Sequence, residues 1–573
     1  MDTISKKNKM KNSLSSLRNQ FSKYDIDGYI VPKNDEYFTE YSKINRLKII
    51  SNFTGSAGLA VILKNKNYLF TDGRYSLQSK IEAGMNFKII NYEKLVNCNL
   101  FKNLKLGIDP KLFTYQQIKR FFLKYNKIKI IRKNLIDEIE KKKISFLSPF
   151  FSLNKDIVGE NSASKISKIS NYLKKNKSDY IFISAPENVA WILNIRGNDC
   201  PNSPIPNLRL IISKTKKIFL ISTIRKCKKL LKNKVISLNQ LIEIKNFSKQ
   251  IIALKGNSFI IDDNSCSIFY EDIIKSKFKI IKREDPTYYF KSIKNNTEIN
   301  NMKKAHISDG VALTKFLYWI KNINRKKITE VEAQNKLEKF RKMNKNYLYP
   351  SFDTIAGSGK NGAIIHYRAD ENNSKIINKK DIFLCDSGGQ YKYGTTDVTR
   401  TICFSEPNQY IKNIYTNVLK GHIAVVTSDL KKNNIGSKID LRARKFLKKN
   451  NLDYPHGTGH GVGFFLNVHE GPQSISKKNK IKIEEGMILS NEPGYYKKNK
   501  FGIRIENLIY VKKSNKKKFF ENLTLAPIEK DLINFKLLSP LEKNYLFKYH
   551  LNVYSVISKY LNLDEKKWLA SFI

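Results

Sequence analysis

The sequence has few cysteines, half as many acidic as basic residues, and no long apolar run. No two of its six cysteines have the Cys-x-x-Cys spacing of a zinc or redox site. We therefore expect reduced, partly buried thiols rather than a disulfide framework, as in a cytosolic protein. No stretch reaches the roughly 18 consecutive apolar residues of a membrane-spanning helix. Residues 1–17 lack the apolar core of a secretory signal. These absences predict a cytoplasmic protein with no membrane partner.

Acidic side chains are outnumbered: 51 Asp and Glu stand against 105 Lys and Arg, which gives a formal net charge of +54. Such a balance is typical of proteins that bind nucleic acid or anionic membranes. The basic residues are spread along the chain, however, without a basic arm or an aromatic-interleaved patch. Lys, Asn and Ile are all abundant, and all three have A/T-rich codons. We interpret the charge as compositional drift and predict no specific nucleic-acid partner.

Apolar residues are plentiful enough for large cores, since 41% of the 573 residues are hydrophobic. Residues 27–31 and 179–183 are similar short apolar strands, each followed by an amphipathic helix and a hairpin. This similarity indicates a diverged internal duplication. A third section begins after Pro286, and its first helix is predicted to have Thr297 as N-cap. We predict three domains, at residues 1–153, 154–287 and 288–573, the last with a C-terminal extension over about 520–573.

The predicted hairpins are 59–63 with 67–71 in the first section, and 208–213 with 218–222 in the second. The first helix of the third section has an apolar stripe at Met302, Ala305, Ala312, Phe316 and Ile320.

Two aspartates at the ends of predicted strands are the first candidate site. Asp386 ends the strand 382–386, and Asp397 begins the strand 397–404 after a glycine-containing turn. Antiparallel pairing of the strands would bring both carboxylates together. An acid beside a turn is most often a turn former that bonds its own backbone, so this pair alone favours metal binding only weakly.

Three of the seven histidines, His456, His460 and His469, fall within fourteen positions. The surrounding glycines allow close approach of backbone and ligand. A lone histidine is usually a satisfied core or surface residue, but scattered surface residues would not cluster in this way. The segment is therefore a second candidate site.

Glu492 and Glu506 lie in apolar strand settings and should point inward. Burying a carboxylate is costly without a cation partner, and for each glutamate alone Arg504 or a lysine is the simpler partner. Four carboxylates and one imidazole cannot crowd one cavity unless further cations offset them. Oxygen-rich ligands with a single nitrogen suit Mn, Co or Zn. Four negative charges balance two divalent ions, which predicts a two-metal hydrolytic site.

The order Asp, Asp, His, Glu, Glu in these local motifs resembles the pita-bread metallopeptidases, which include methionine aminopeptidases, prolidases and Xaa-Pro aminopeptidases. The similarity is greater to the three-domain Xaa-Pro aminopeptidases (aminopeptidase P) and covers about residues 12–570. One departure is Ile49, where a tryptophan is expected; it affects local packing rather than chemistry. The matching segments are 361–367, 394–401, 456–463 and 467–472, with looser matches at 53–58, 71–75 and 191–197.

The resemblance implies an α/β (α+β) fold, with two related creatinase-N-like α/β domains followed by a C-terminal pita-bread catalytic domain. It also implies two bound divalent metal ions, Mn²⁺ in the first place and Zn²⁺ or Co²⁺ as alternatives. Asp397 and Glu506 would bridge the two ions, Asp386 would complete one of them, and His460 and Glu492 the other. The ligand set is Asp386, Asp397, His460, Glu492 and Glu506.

The implied reaction is hydrolysis of the N-terminal Xaa-Pro peptide bond by a water that bridges the metals, with Glu492 as general base. The family's non-ligand histidines, which hold the substrate and stabilise the oxyanion, correspond to His366, His456 and His469. Arg504 would orient the neighbouring carboxylates. The implied partners are peptides with proline at the second position and a second copy of the chain in a homodimer.

Two other functions compete with this interpretation. A prolidase would cleave only dipeptides, but three domains and a long C-terminal stretch favour the aminopeptidase. Methionine aminopeptidases lack two such N-terminal domains. A non-catalytic binding protein of the same fold would have lost ligands, whereas this chain keeps all five and the three accessory histidines.

Overall fold

The computed structural model describes residues 2–76, 78–96, 98–140, 148–323, 327–371, 374–515 and 517–573. The chain forms two compact units. The first contains Met1–Asn154 and Glu160–Thr287, and the second contains Lys155–Gly159 and Tyr288–Ile573. The first unit holds two six-stranded sheets, so the division of this region into two domains at residue 153 stays a prediction.

The first sheet has the strand order β4-β3-β2-β1-β5-β6. Strand β1 pairs antiparallel with β2 and parallel with β5, and the predicted hairpin of β2 and β3 is confirmed. Successive residues of a strand point to opposite faces, so Leu59 and Val61 enter one core while Ala60 and Ile62 enter another. The strands are β1 (Gly28–Pro32), β2 (Leu59–Leu63), β3 (Asn67–Thr71), β4 (Lys88–Asn91), β5 (Lys105–Ile108) and β6 (Lys127–Ile130).

The second sheet repeats this plan, with the order β12-β11-β10-β8-β13-β14. Its central strand β8 again pairs antiparallel with the next long strand, β10, and parallel with β13. The shared topology is the one that the duplication predicted. The strands of this sheet are β8 (Tyr180–Ile183), β10 (Arg209–Ser213), β11 (Ile218–Ile221), β12 (Leu241–Ile242), β13 (Ser258–Ile261) and β14 (Lys279–Lys282). Two further strands, β7 (Phe151–Ser152) and β9 (Ile195–Arg196), pair with each other in a separate two-stranded sheet.

Helices flank both sheets, which explains why their central strands are buried on both faces. The helices up to residue 292 are α1 (Asp2–Arg18), α2 (Arg46–Ser51), α3 (Gln78–Ala83), α4 (Tyr115–Phe121), α5 (Leu135–Ile139), α6 (Lys155–Val158), α7 (Ser162–Lys175), α8 (Pro186–Leu193), α9 (Ile224–Lys232), α10 (Phe247–Ala253), α11 (Ile268–Lys275) and α12 (Thr287–Ser292). Ile49, at the position of the expected tryptophan, is partly buried against the core of the first sheet.

The second unit contains small antiparallel sheets packed with long helices. Two three-stranded sheets have the orders β15-β18-β19 and β16-β17-β20, and a five-stranded sheet has the order β22-β21-β23-β26-β27. Strands β24 and β25 form a two-stranded sheet. The strands are β15 (Tyr347–Pro350), β16 (Ile355–Ser358), β17 (Phe383–Ser387), β18 (Gly389–Tyr391), β19 (Gly394–Thr395), β20 (Val398–Ile402), β21 (Gly459–Gly461), β22 (Glu470–Ile475), β23 (Ile488–Asn491), β24 (Gly494–Lys497), β25 (Phe501–Arg504), β26 (Asn507–Ser514) and β27 (Lys517–Asn522).

The first long helix of this unit, α13 (Asn296–Asn322), corrects the predicted N-cap. Asn295, not Thr297, is its N-cap: the Asn295 side chain accepts a hydrogen bond from the Glu298 backbone, and the Glu298 carboxylate accepts one from the Asn295 backbone. The predicted apolar stripe is buried, as expected. The helices are α13 (Asn296–Asn322), α14 (Glu330–Lys342), α15 (Gln409–Val426), α16 (Gly436–Lys448), α17 (Pro540–Ile557) and α18 (Leu563–Ala570).

All six cysteines are buried free thiols, which confirms the absence of a disulfide framework. Within the described part of the chain, no helix is both long enough and apolar enough to span a membrane.

Candidate metal centre

The two aspartates lie on paired strands, as predicted. Asp386 is the fourth residue of β17, and Asp397 directly precedes β20, which pairs with β17 in antiparallel register. Both residues are buried, although Asp397 lies just before its strand and β20 is an edge strand of this three-stranded sheet. The strand pairing therefore places both carboxylates in the same part of the second unit.

The two glutamates are brought together by a different pair of strands. Glu492 follows the last residue of β23, and Glu506 precedes the first residue of β26; these strands pair antiparallel with Asn491 opposite Asn507. The backbone N–H of Glu506 donates to Thr399 O at 3.1 Å. This bond joins the glutamate pair to β20 and thus to the aspartates.

His460, in the short strand β21, joins the acids to the histidine segment. Its Nε2 atom lies 3.4 Å from Asp397 Oδ2 and 3.6 Å from Glu492 Oε1. Ligand atoms of Asp397, His460 and Glu506 all lie within 4.8 Å of one another. The structure thus brings together residues that are up to 109 positions apart in the chain.

The crowding of these carboxylates changes their titration. Burial raises the pKa of Asp386 to about 6; the charge of Arg504 lowers it, while those of Asp397 and Glu492 raise it. For Glu506, burial and then the charge of Asp397 raise the pKa well above its usual range. Unless further cations are present, the cavity therefore disfavours full ionisation of its acids.

For His460 and Glu492, in contrast, the surroundings favour the charged form. Burial lowers the pKa of His460, but the hydrogen bond to Asp397 and the charge of Glu492 outweigh it and raise that pKa to about 9. Burial likewise raises the pKa of Glu492, but His460 and His456 outweigh it and leave the pKa lowered. In the absence of other cations, a protonated His460 offsets part of the negative charge.

One buried oxygen atom indicates that the acids of the centre fit a cation. Asp386 Oδ1 is buried and has no hydrogen-bond partner among the described residues. A buried carboxylate oxygen is costly to leave unpaired. With four carboxylates and one imidazole, the donor set is mostly oxygen with one nitrogen, which suits hard or borderline divalent cations. The residues therefore fit two divalent metal ions.

Arg504 contacts Asp386 directly and Glu506 through the hydroxyl of Thr399. Its Nη2 donates to Asp386 Oδ2 at 2.5 Å, and its Nε donates to Thr399 Oγ1 at 3.0 Å. The Thr399 hydroxyl in turn donates to Glu506 Oε2 at 2.7 Å. Arg504 is thus placed to orient Asp386 and, through Thr399, Glu506.

Both ring nitrogens of His456 take part in hydrogen bonds. Burial lowers its pKa to about 4, so the ring is neutral at pH 7. Its Nδ1 lies 2.7 Å from Gly457 O and 4.0 Å from Glu492 Oε2. Its Nε2 lies 2.9 Å from the Tyr496 hydroxyl. A neutral ring that donates through Nδ1 to Gly457 must accept from Tyr496 through Nε2.

The other two predicted histidines are differently placed. The ring of His469 lies edge-on to that of His460, with 4.4 Å between centroids. His366 is half-buried in the loop that follows the 3₁₀ turn Gly359–Ala363. In that turn Gly362 packs against Gly502 of β25 so closely that a Cβ atom on Gly502 would collide with the Gly362 carbonyl. Both histidines thus lie on segments that adjoin the centre.

The structure adds Tyr496 and Thr399 to the residues of the centre. The Tyr496 hydroxyl accepts from Arg504 Nη1 at 2.7 Å and contacts His456, so it links two predicted site residues. Its position four residues after Glu492 is a sequence signal for Tyr496, whereas the pairing of its strand β24 with β25, which carries Arg504, is known only from the fold. Thr399 lies between Asp397 and Arg400 within a segment that the sequence already singled out.

A second group of possible ligands, Cys403, Glu529 and Asp531, also lies in the second unit. Lys321 Nζ is 2.8 Å from Glu529 Oε2 and 3.0 Å from Asp531 Oδ2. This ammonium group already pairs with both acids, and Asp531 is exposed to water, so the group does not require a metal ion.

Comparisons with known proteins agree with this geometry. Metallopeptidase family M24 matches residues 300–513, and the C-terminal region of that peptidase family matches residues 519–571. Creatinase/prolidase N-terminal domains match residues 14–136 and 141–298. The chain is 35% identical to a probable Xaa-Pro aminopeptidase P of Laccaria bicolor, over 97% of this chain and 92% of that protein. It is 36% identical to Xaa-Pro aminopeptidase 1 of Dictyostelium discoideum, over 100% and 98% of the two chains.

Solved structures give the same result. The crystal structure of an X-prolyl aminopeptidase from Caenorhabditis elegans, described as a cytosolic enzyme with a di-nuclear active site, has a TM-score of 0.89 and 28% identity. It covers 98% of this chain and 99% of its own. A prolidase from Pyrococcus horikoshii has a TM-score of 0.52 and 28% identity, and covers 64% of this chain and 99% of its own.

Proposed function

The chain belongs to the Xaa-Pro aminopeptidases of metallopeptidase family M24, and from that premise we propose that it removes the N-terminal residue from peptides with proline at the second position. The observation that carries the proposal is the convergence of acids from two strand pairs on His460, with three ligand atoms within 4.8 Å of one another. The substrate class comes from the names of the relatives.

The five predicted ligands would hold two divalent ions, Mn²⁺ in the first place. Asp397 and Glu506 would be shared between the ions, Asp386 would complete one, and His460 and Glu492 the other. Asp386 Oδ1, which is buried and lacks a hydrogen-bond partner among the described residues, supports its assignment as a ligand. When bound, such ions polarise the scissile carbonyl and supply a nucleophilic water at neutral pH.

Glu492 is proposed as the general base. Its Oε1 lies 3.6 Å from His460 Nε2, among the predicted ligands, so the carboxylate is placed to accept a proton from the attacking water. The same carboxylate then passes the proton to the proline nitrogen as the C–N bond breaks. The proline nitrogen must gain a proton to leave as an amine, and Glu492 supplies the one that it has taken from the water.

The remaining side chains would bind and orient. His366, His456 and His469 would hold the substrate and stabilise the oxyanion. Arg504 fixes Asp386, and through Tyr496 it also fixes His456. His456 already uses Nδ1 for Gly457 and accepts from Tyr496, so its part in binding would require it to exchange one of these contacts.

Replacement of Tyr496 by phenylalanine is expected to lower kcat about 10- to 100-fold, because the loss of a hydrogen bond to a charged group costs roughly 1.5–3 kcal/mol. The metals should stay bound, since Tyr496 is not a predicted ligand. Steady-state kinetics on an Xaa-Pro-Pro peptide, with elemental analysis of the same sample, measures both quantities. Tyr495→Phe is the matched control. An unchanged kcat in Tyr496→Phe would show that the hydroxyl does not orient His456.

The proposed specificity is tested with three peptides: Xaa-Pro-Pro, Xaa-Ala-Pro and the dipeptide Xaa-Pro. We expect kcat/KM to be about 100-fold higher for Xaa-Pro-Pro than for Xaa-Ala-Pro, since a shaped apolar pocket discriminates by about 10- to 200-fold. Cleavage restricted to the dipeptide would identify a prolidase instead. The solved prolidase covers 64% of this chain, whereas the solved X-prolyl aminopeptidase covers 98%, which favours the aminopeptidase. Absence of any cleavage would favour a binding protein.

The proposal extends to the location and assembly of the enzyme. A cytosolic location agrees with the six buried free thiols and with the description of the C. elegans enzyme. We further propose a homodimer, to be tested by sedimentation of the purified protein.

The net charge of +54 is proposed to have no specific nucleic-acid function. Binding to DNA should be weak, independent of sequence, and lost steeply as salt rises, because each neutralised phosphate contributes about one unit to the salt slope. Fluorescence anisotropy with two unrelated duplexes at several salt concentrations measures this. Tight binding to one sequence at physiological salt would contradict the interpretation of the charge as drift.

A further inference from the structure

Arg400 is a fully buried cation beside the metal centre that the proposed reaction does not use. It is 1% exposed and lies in β20, three residues after Asp397. Its guanidinium makes six hydrogen bonds of 2.7–3.0 Å, and all six acceptors are neutral oxygens. The acceptors are Thr399 O, Glu506 O, Asn507 Oδ1, Ala526 O, Pro527 O and the Tyr549 hydroxyl.

Burying a guanidinium is costly, and carboxylates usually offset that cost. Here the neutral oxygens satisfy the donors without neutralising the charge. Only arginine offers five N–H donors in a fixed planar fork, so lysine could not reach all of these acceptors at once. The arrangement therefore fixes several backbone segments in relation to one another.

The acceptors fall into two groups that are far apart in sequence. One group belongs to the metal centre: Arg400 Nη1 lies 2.7 Å from Glu506 O and 2.9 Å from Thr399 O. Thr399 and Glu506 are also bonded to each other, through the Glu506 backbone N–H and through the Thr399 hydroxyl. Arg400 thus completes a closed set of bonds around the backbone of Glu506.

The other group belongs to the C-terminal region, which matches the C-terminal region of the peptidase family over residues 519–571. Arg400 donates to Pro527 O at 2.8 Å and to Ala526 O at 2.8 Å. The Tyr549 hydroxyl, on α17, accepts from Arg400 at 3.0 Å and donates to the same Ala526 carbonyl at 2.7 Å. The C-terminal segment is therefore bonded to the guanidinium that also holds Glu506.

We propose that Arg400 is a positioning residue that joins the C-terminal segment 526–549 to Glu506, so that the metal affinity of the centre depends on this segment. The inference rests on the proposed function in one respect, the assignment of Glu506 as a metal ligand. It gives the C-terminal region a role in the centre although that region contributes no ligand. Residues that orient metal ligands typically change metal affinity by about 10- to 100-fold when they are replaced.

The test measures metal binding rather than turnover. Full-length metal-free protein is titrated with Co²⁺, followed by calorimetry and by the visible absorption of the bound ion. For Arg400→Gln we expect the Kd of the more weakly bound Co²⁺ to rise at least about tenfold, with altered absorption bands. Arg400→Lys keeps the charge but loses the fork, and should recover the affinity only in part. Tyr549→Phe removes the hydroxyl that bonds both Arg400 and the Ala526 carbonyl but leaves the bonds of Arg400 to Ala526 and Pro527, so it should raise the Kd by a smaller but measurable factor.

Arg196→Gln is the matched control. Arg196 is equally buried, donates to the carbonyls of Ala190 and Ile195, and lies in the first unit. Its replacement should lower the melting temperature without changing the Kd for Co²⁺ in the folded protein. If Arg400→Gln is insoluble, the Kd of Tyr549→Phe for Co²⁺ becomes the deciding measurement. Wild-type Co²⁺ affinity in the soluble Arg400 variants overturns the inference. Where no Arg400 variant is soluble, wild-type Co²⁺ affinity in Tyr549→Phe overturns it.

The readout separates this inference from the proposed function. A wild-type protein that binds two Co²⁺ ions but cleaves no Xaa-Pro peptide would reject the function and leave the effect of Arg400 on affinity measurable. Conversely, an active enzyme whose Co²⁺ affinity is unchanged by these substitutions would keep the function and reject the role of Arg400.

Discussion

Removal of the bound metal is expected to abolish peptidase activity completely, and Mn²⁺ or another divalent ion should restore it. The four carboxylates of the centre, three of them buried, cannot polarise a carbonyl, and two of them have raised pKa values in the absence of metal. The chain offers no serine or cysteine nucleophile among the predicted catalytic residues. All of the activity should therefore depend on the ions.

The measurement compares the native protein, a chelator-treated sample freed of chelator, and the same sample after addition of metal. Elemental analysis of each sample is the control, because incomplete removal would leave residual activity. Metal should also stabilise the fold, by about 2.7 kcal/mol at a free concentration 100 times its Kd. Full activity in a preparation verified to be metal-free would end the two-metal hypothesis.

Local features of the fold were predictable from sequence because they depend on neighbouring residues. The hairpin of β2 and β3 consists of two short apolar strands joined by a short turn, and the strands near Asp386 and Asp397 pair across a glycine-containing connection. The duplication was also predictable, since the apolar strands at the start of each copy are similar and become the central strands β1 and β8. The error at Thr297 has an equally local cause: Asn295 and Glu298 form a capping box, whose spacing outweighs the preference of a single threonine.

The convergence of the candidate ligands could be predicted only in part. Charge balance indicates that the four acids and His460 share cations, but only the fold shows that Asp397, His460 and Glu506 meet. Thr399 and Arg400 are harder to predict, because their contacts are formed between segments over 100 residues apart or with backbone carbonyls. Tyr496 is nearer in sequence to its partners His456 and Arg504, but only the fold shows that its hydroxyl joins them. A backbone carbonyl has no signature in the sequence. Residues that orient a site through such groups are therefore visible only in the structure.

His460→Ala is expected to lose metal and activity together, whereas His456→Ala, four residues earlier, should keep near-normal metal content. Removal of an imidazole ligand opens a coordination position and weakens the hold on the ion. The Nε2 atom of His460 lies within 3.6 Å of oxygens of both Asp397 and Glu492, so it is placed among the acids. His456 instead faces Tyr496 and Gly457, and its nearest approach to Glu492 is 4.0 Å.

His456→Ala should therefore lower kcat on an Xaa-Pro-Pro peptide by about 100-fold or more, the usual effect of removing a group that stabilises the transition state. Elemental analysis and kcat, measured on the same samples, test both substitutions together. His422→Asn is a suitable control, because His422 is a buried neutral histidine on α15 that contacts the backbone of Asn491 and is not a predicted ligand. If His456→Ala lost its metals and His460→Ala kept them, the ligand would be assigned to the wrong histidine. The assignments of Glu492 and Glu506 would then need revision too, because they rest on the same resemblance.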